Sequence, residues 1–145
     1  MYSAGSSVKA QVALAGHVVA DATGPVAGGA ASLEAVVRNP ELWWPTGMGG
    51  QPLYTVTARL SGADGQTTDT ASRRIGLRTV EVVPPKDDVA MHLAVNGFPV
   101  FAKGAVWIPA DNMTTRVTPE ILRWYMTRAV ECNFNFIRLW GGGYY

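Results

Sequence analysis

The chain changes its pattern at Pro84-Pro85, and this change limits the possible folds more than any other feature. Before it, apolar and polar residues alternate over short runs at 8–14, 53–60 and 78–83, separated by clusters of Gly, Asn, Asp and Pro. Alternation with a period of two predicts β-strands, and no helical period is present there. The sequence therefore predicts a β-structured segment before the two prolines.

That segment is predicted to be an incomplete β-sandwich. Short strands with turn residues between them are typical of a sandwich, and the immunoglobulin-like type has about seven strands in about 100 residues. Four or five strands can be placed before Pro84. We therefore expect residues 1–83 to form an immunoglobulin-like β-sandwich that is incomplete at its N-terminal end, followed by a linker at 84–92.

After the linker the sequence predicts a hairpin, then strand, helix and strand. Asn96-Gly97 lies between two apolar runs, and both residues accept the positive φ of a type I′ turn. A strand is expected over 104–108. Thr118 and Pro119 predict a helix start that is followed by apolar residues at helical spacing, with Asn133 as its end. A strand over 134–140 completes a βαβ unit, and the apolar helix face predicts packing against a core.

One βαβ unit cannot cover both faces of its own parallel strands. A (β/α)₈ barrel takes on the order of 250 residues, whereas about 60 follow the linker. We therefore expect a mainly β chain in which residues 93–145 are the truncated start of a TIM-barrel domain. The other interpretation is an unusual two-stranded layer packed on the sandwich.

Composition excludes several classes of function. With 48% hydrophobic and 16% charged residues and a net charge of +1, the chain resembles a folded domain without a basic patch for nucleic acid or membrane surfaces. His17 and His92 lack neighbouring ligands at metal-binding spacing, so neither a metal nor a cofactor is expected. The single Cys132 is interpreted as a small buried residue. No targeting segment is recognisable, and the compartment stays open.

Five motifs, taken in order, resemble glycoside hydrolase family 2, and the last segments resemble its β-mannosidase branch. The order and spacing agree across about residues 35–143. The motifs are Asn39-Pro40-Glu41-Leu42-Trp43-Trp44-Pro45-Thr46-Gly47, Gln51-Pro52-Leu53-Tyr54, Arg74-Ile75-Gly76-Leu77-Arg78, the run 95–104 with the following Trp107-Ile108-Pro109-Ala110-Asp111, and 133–143. Val106 departs from the branch, which often has Asn at that position.

The resemblance implies a retaining exo-glycosidase that hydrolyses terminal β-mannosides with two carboxylates, a general acid/base after an Asn-Glu pair and a nucleophilic Glu. Retention requires the two carboxyl groups to lie about 5–5.5 Å apart. The chain has no Asn-Glu dipeptide. We therefore expect no catalytic residue in this chain, and no activity from it alone.

The resemblance also implies that the chain supplies part of the sugar pocket, with Trp107, Asp111, Arg138 and Trp140 as the substrate-binding residues. Trp140 and Asp111 would bind the non-reducing sugar, and Arg138 would keep the nucleophile ionised. Each has a structural alternative: Trp107 and Trp140 as packing residues, Asp111 as a loop cap, and Arg138 as a structural ion pair.

Other functions remain open at this point. The expected partners are a β-linked oligosaccharide or glycoside and the rest of the parent polypeptide. A family 2 β-glucosaminidase, β-galactosidase or endo-β-mannosidase is the near alternative, and a non-catalytic carbohydrate-binding β-sandwich module is the distant one. Trp43-Trp44-Pro45 could form an exposed sugar platform, although two Trp beside a Pro in a sandwich are more typical of packing.

Overall fold

The structure is a computed structural model that describes residues 5–142. Gly143, the last of the three glycines in the final motif, lies outside the described residues, as do both chain ends. The chain forms two compact units, one of Met1–Trp43 with Gln51–Leu77 and one of Trp44–Gly50 with Arg78–Tyr145. Strands predominate in the described part, which confirms the prediction of a mainly β chain.

The first unit contains one antiparallel sheet of four strands in the order β2-β1-β3-β4. The strands are β1 (Ser7–Leu14), β2 (His17–Pro25), β3 (Tyr54–Ser61) and β4 (Thr67–Ile75). Alternation in the sequence predicts β1 and β3, which are the two central strands. It does not single out β4, because this edge strand is exposed along its whole length and has no buried face to impose an apolar repeat.

Tyr54 is the most buried large side chain of this sheet. It is 1% exposed, and its hydroxyl oxygen accepts a hydrogen bond from the backbone N–H of Glu41 at 2.8 Å. This bond links the irregular segment that contains Glu41 to Tyr54, the first residue of β3. The Tyr at the end of Gln51-Pro52-Leu53-Tyr54 therefore has a structural role.

Replacing Tyr54 with Phe should lower the free energy of unfolding by about 1–2 kcal/mol, because the ring is kept while the Glu41 N–H loses its partner. Urea denaturation would measure the loss. Tyr125→Phe is the matched control, since the Tyr125 hydroxyl bonds to none of the described residues and its side chain is 39% exposed. Equal stability of the two variants would contradict the role of the Tyr54 hydroxyl.

The two tryptophans of the Trp43-Trp44 pair pack against glycines. A Cβ added at Gly76 would lie 2.7 Å from the Trp43 ring, and one added at Gly49 would lie 2.7 Å from the Trp44 ring. Trp44 also meets Phe98 edge-on, with ring centroids 5.6 Å apart. Both indoles are half-buried, which supports packing over an exposed sugar platform.

The second unit begins with an antiparallel sheet in the order β5-β6-β7. Its strands are β5 (Val80–Val83), β6 (His92–Val95) and β7 (Phe98–Val100), and they carry the buried residues Ala94, Val95 and Val100. Between β6 and β7, Asn96 and Gly97 have φ values of 53° and 79°, as a type I′ turn requires. The predicted hairpin is confirmed.

The predicted strand, helix and strand are also present. β8 (Gly104–Trp107) pairs in parallel with β9 (Phe136–Leu139), and α1 (Pro119–Glu131) lies between them in sequence. The Thr118 hydroxyl accepts a hydrogen bond from the N–H of Ile121 at 3.4 Å, which caps the helix start.

The helix ends at Glu131, and Asn133 closes it two residues later, where the sequence predicts the stop. Asn133 has a φ of 58°, its N–H donates to the carbonyl of Val130, and the N–H of Phe134 donates to the carbonyl of Ala129. These two bonds form a Schellman motif, in which a left-handed residue closes the helix. The turn sets the direction in which the chain enters β9.

Two expectations about this region are wrong. None of the residues of α1 is buried, although its apolar spacing predicts a face packed on a core, and Cys132 is exposed rather than buried. Two short strands offer too little surface to cover a helix of 13 residues. A cavity of about 410 Å³ lies where β8 and α1 face each other, and Trp107, Tyr125 and Met126 are among its lining residues.

Candidate functional site

The ends of β8 and β9 lie side by side and bring the predicted site residues into one region of the second unit. The strands pair in parallel from Gly104 with Phe136 to Trp107 with Leu139, and the N–H of Trp140 donates to the carbonyl of Trp107 at 3.0 Å. Because carboxyl ends of parallel strands meet at one edge, residues that follow the two strands share that edge.

The four predicted residues do not share one face of the pair. Trp107 packs edge-on against Tyr125 of α1, with ring centroids 5.2 Å apart, so its side chain lies on the helix side. Side chains alternate along a strand, and Arg138 pairs with Val106, which places Arg138 on the opposite face. Trp140 follows Arg138 by two residues. If the alternation continues past the end of β9 at Leu139, Trp140 is expected on the face of Arg138, opposite to that of Trp107.

Trp140 is half exposed rather than part of a core. Its side chain is 47% exposed, and its indole lies over Gly142, where an added Cβ would come within 2.7 Å of the ring. Gly142 thus allows the indole to fold back over the end of its own strand. An accessible indole face of this kind can stack on the C–H face of a pyranose.

Arg138 is exposed and forms no ion pair with any carboxylate of residues 5–142. The alternative of a structural ion pair therefore finds no support within this part of the chain. Its guanidinium can therefore pair with a carboxylate from outside these residues. Val106 pairs with Arg138 and lies on the same face of the strand pair, and the mannosidase branch that the chain resembles often has Asn at this position. Sequence reasoning did not place Val106 next to Arg138.

Asp111 lies in the loop after β8 and makes two short contacts through one oxygen. Its Oδ1 accepts from the backbone N–H of Met113 at 2.7 Å and from Nη2 of Arg116 at 2.7 Å. The hydrogen bond from Arg116 is the main cause that holds the pKa of the Asp111 carboxyl below its usual value, with the Met113 bond second. Asp111 therefore does cap its loop.

A second cavity, of about 270 Å³, lies beside this loop. It is bounded by the end of β8, by the segment that joins β8 to α1 and by the first turn of the helix. The lining residues are Trp107, Pro109, Ala110, Asp111, Thr114, Val117 and Leu122. Trp107 and Asp111 thus line one cavity. An aromatic ring and a carboxylate are groups that sugar-binding sites use.

Two residues that sequence reasoning did not single out hold this strand pair in register. Asn135 donates from Nδ2 to the carbonyl of Phe101 at 3.1 Å and accepts at Oδ1 from the N–H of Lys103 at 2.8 Å. A Cβ on Gly104 would overlap the carbonyl oxygen of Phe136. Both belong to the motifs quoted above, and their place beside strand starts is the signal that could have revealed their positioning role.

Among the described residues, no three His, Cys, Asp or Glu side chains cluster as metal ligands would. The helices within the same range include none that is long and apolar enough to cross a membrane.

A family model for glycosyl hydrolases family 2 matches residues 3–78, which is more than half of the chain. The chain belongs to glycosyl hydrolases family 2. The match covers the motifs up to Arg78, and the resemblance predicted from the sequence is therefore confirmed.

The relatives of this family 2 chain include β-mannosidases. It is 37% identical over 140 residues to β-mannosidase B of Aspergillus niger, covering 95% of the chain and 16% of that protein. It is 38% identical over 109 residues to the β-mannosidase of Capra hircus, covering 72% of the chain and 12% of that protein. The crystal structure of the β-D-mannosidase from Dictyoglomus thermophilum superposes with a TM-score of 0.82 at 33% identity, covering 95% of this chain and 18% of that one.

This family 2 chain spans about one sixth of the length of the curated relatives it matches. The β-mannosidase matches reach beyond the family model and include the region of β8, α1 and β9, because they cover up to 97% of the chain. The similarity to glycoside hydrolases therefore extends over both compact units of the chain.

Proposed function

We propose that this family 2 chain supplies one wall of the sugar pocket of a retaining exo-glycosidase that hydrolyses terminal β-mannosides. The single observation that carries the proposal is that Arg138 in β9 and Trp140 directly after β9 lie at the carboxyl end of the parallel pair β8 and β9. In (β/α) barrels this edge carries the substrate site. The identity to β-mannosidases at 37–38% supports the choice of sugar.

The proposed domains are an incomplete immunoglobulin-like sandwich at 1–83, a linker at 84–92 and the start of a TIM barrel at 93–145. In this assignment β8 and β9 are the first two barrel strands, and α1 is the helix between them. The parallel pairing and the intervening helix support it, since parallel strands are joined by such a crossover.

Each proposed residue has a distinct role. The Trp140 indole stacks on the sugar ring, and Asp111 accepts hydroxyl hydrogen bonds. Arg138 donates to the nucleophilic carboxylate and keeps it ionised by its opposite charge. Trp107 supports the site by packing on Tyr125 and lining the cavity next to Asp111.

The two catalytic carboxylates come from other strands of the complete enzyme. One attacks the anomeric carbon while the other protonates the leaving oxygen, and water then releases the sugar from the covalent intermediate with the second group acting as base. In this chain neither Asp111 nor any other carboxylate is assigned to either step.

The test is a panel of aryl β-glycosides offered to the complete enzyme that contains this chain. We expect the highest kcat/KM with the β-mannoside, and proton NMR should show β-mannose as the first product because two inversions retain configuration. A preference for the β-glucosaminide or β-galactoside would overturn the choice of sugar. An α-anomer as first product would overturn the retaining mechanism.

A further inference from the structure

The loop after β8 holds the Asp111 carboxylate by one of its two oxygens. Both donors, the Met113 N–H and Arg116 Nη2, contact Oδ1 at 2.7 Å. No donor among residues 5–142 contacts Oδ2. A carboxylate has lone pairs on both oxygens, so Oδ2 keeps its full capacity to accept hydrogen bonds.

Arg116 is well placed to fix this arrangement. It is the last residue of the 3-10 helix Thr114–Arg116, its backbone N–H donates to the carbonyl of Met113, and its side chain reaches back to Asp111. The 3-10 turn thus places the backbone of Arg116 where its guanidinium reaches the carboxylate. The exposed fractions of the side chains are 31% for Asp111 and 66% for Arg116, so the carboxylate is the more enclosed partner.

The direction of the free oxygen matters because Asp111 lines the 270 Å³ cavity. A monosaccharide hydroxyl is recognised by a hydrogen bond whose angle is restricted, and a side chain free to rotate loses entropy when it forms one. A carboxylate already fixed through Oδ1 does not lose that freedom again when a sugar binds. The entropy that Asp111 loses when a sugar binds is therefore smaller.

We propose that Arg116 is a positioning residue that holds the Asp111 carboxylate by Oδ1 so that Oδ2 accepts a sugar hydroxyl. This inference rests on the proposed function, in which Asp111 binds substrate. Arg116 itself does not touch the sugar in this arrangement. Its effect on catalysis passes entirely through Asp111.

Kinetics of the complete enzyme on an aryl β-mannoside test this role with Arg116→Met and Arg116→Lys. Arg116→Met should lower kcat/KM about tenfold or more, mainly through KM, because a charge-assisted hydrogen bond is lost. Lys keeps the charge and one donor and should restore part of the loss. Arg123→Met is the matched control, since Arg123 is exposed and its side chain forms no ion pair with the described residues.

A double-mutant comparison with Asp111→Asn tests whether Arg116 acts through Asp111. If Arg116 acts only through Asp111, adding Arg116→Met to Asp111→Asn should lower kcat/KM little further, whereas independent effects would add. Carbon NMR of the Asp111 carboxyl gives a readout besides activity. Removing the Arg116 hydrogen bond should raise the pKa of Asp111 towards its usual value, while Arg123→Met should leave it unchanged.

The outcomes separate the two proposals. A wild-type enzyme without β-glycosidase activity would overturn the proposed function and this role with it. An active enzyme whose KM is the same for Arg116→Met and Arg123→Met would overturn the role of Arg116 alone, even if the pKa of Asp111 moves. An active enzyme with a raised KM, partial rescue by Lys and a raised pKa of Asp111 is the result expected.

Discussion

Replacing Gly104 with Ala should separate β8 from β9 and lower the stability of the second unit by about 3 kcal/mol, at the upper end of the cost of overpacking. The added methyl group would overlap the carbonyl oxygen of Phe136. No side-chain rotation can relieve this overlap, because the backbone fixes the position of the Cβ and its partner is a backbone carbonyl oxygen. The strands must therefore move apart, and the parallel register that aligns Arg138 with Val106 would be lost.

Hydrogen exchange measures this separation at two amides that bond across the pair, Phe136 to Lys103 and Trp140 to Trp107. Both should exchange faster in Gly104→Ala than in the wild type. Gly141→Ala is the control, because a Cβ at Gly141 meets no atom within 4 Å. Equal protection of these amides in the two variants would show that Gly104 is not needed for the pairing.

Replacing Trp140 with Ala in the complete enzyme should lower kcat/KM for an aryl β-mannoside on the order of a hundredfold, the loss that about 1 Å of substrate misplacement causes. The indole is half exposed and lies over Gly142, just after the end of its own strand. Stability should therefore change little. A loss of activity without a loss of stability is the expected signature of a residue that contacts substrate.

Trp124→Ala is the matched control for this loss. Trp124 is 56% exposed on α1, where its ring contacts Tyr125 and Arg128. It lies outside the proposed pocket, so kcat/KM should stay close to that of the wild type. If Trp140→Ala costs no more activity than Trp124→Ala at matched melting temperatures, Trp140 is not part of the sugar site.

Local signals in the sequence predicted the second unit well. The turn at Asn96-Gly97, the cap at Thr118 and the helix end at Asn133 each depend on the backbone preference of one or two residues, and each is present in the structure. By contrast, β4 carries no apolar repeat because it is exposed throughout. The packing of α1 could not be predicted from its apolar spacing. The spacing shows which face of the helix is apolar, and it does not show whether other elements bury that face.

The candidate site was predicted in composition but not in arrangement. The sequence motifs named Trp107, Asp111, Arg138 and Trp140, and the roles of all four remain proposals. Which face each side chain takes depends on the register of β8 with β9, and a register is fixed by pairing between segments about 30 residues apart. The contact of Arg116 with Asp111 depends instead on the 3-10 turn Thr114–Arg116, which no motif in the sequence indicated.

In the proposed function, this chain supplies part of the sugar pocket, and both catalytic carboxylates lie elsewhere in the complete enzyme. The most direct measurement is turnover of an aryl β-mannoside by the purified 145-residue chain, beside the complete enzyme and a mock preparation. We expect turnover by the complete enzyme and none by the chain above the mock level. Turnover by the chain itself would show that it contains a catalytic carboxylate pair and would contradict the account.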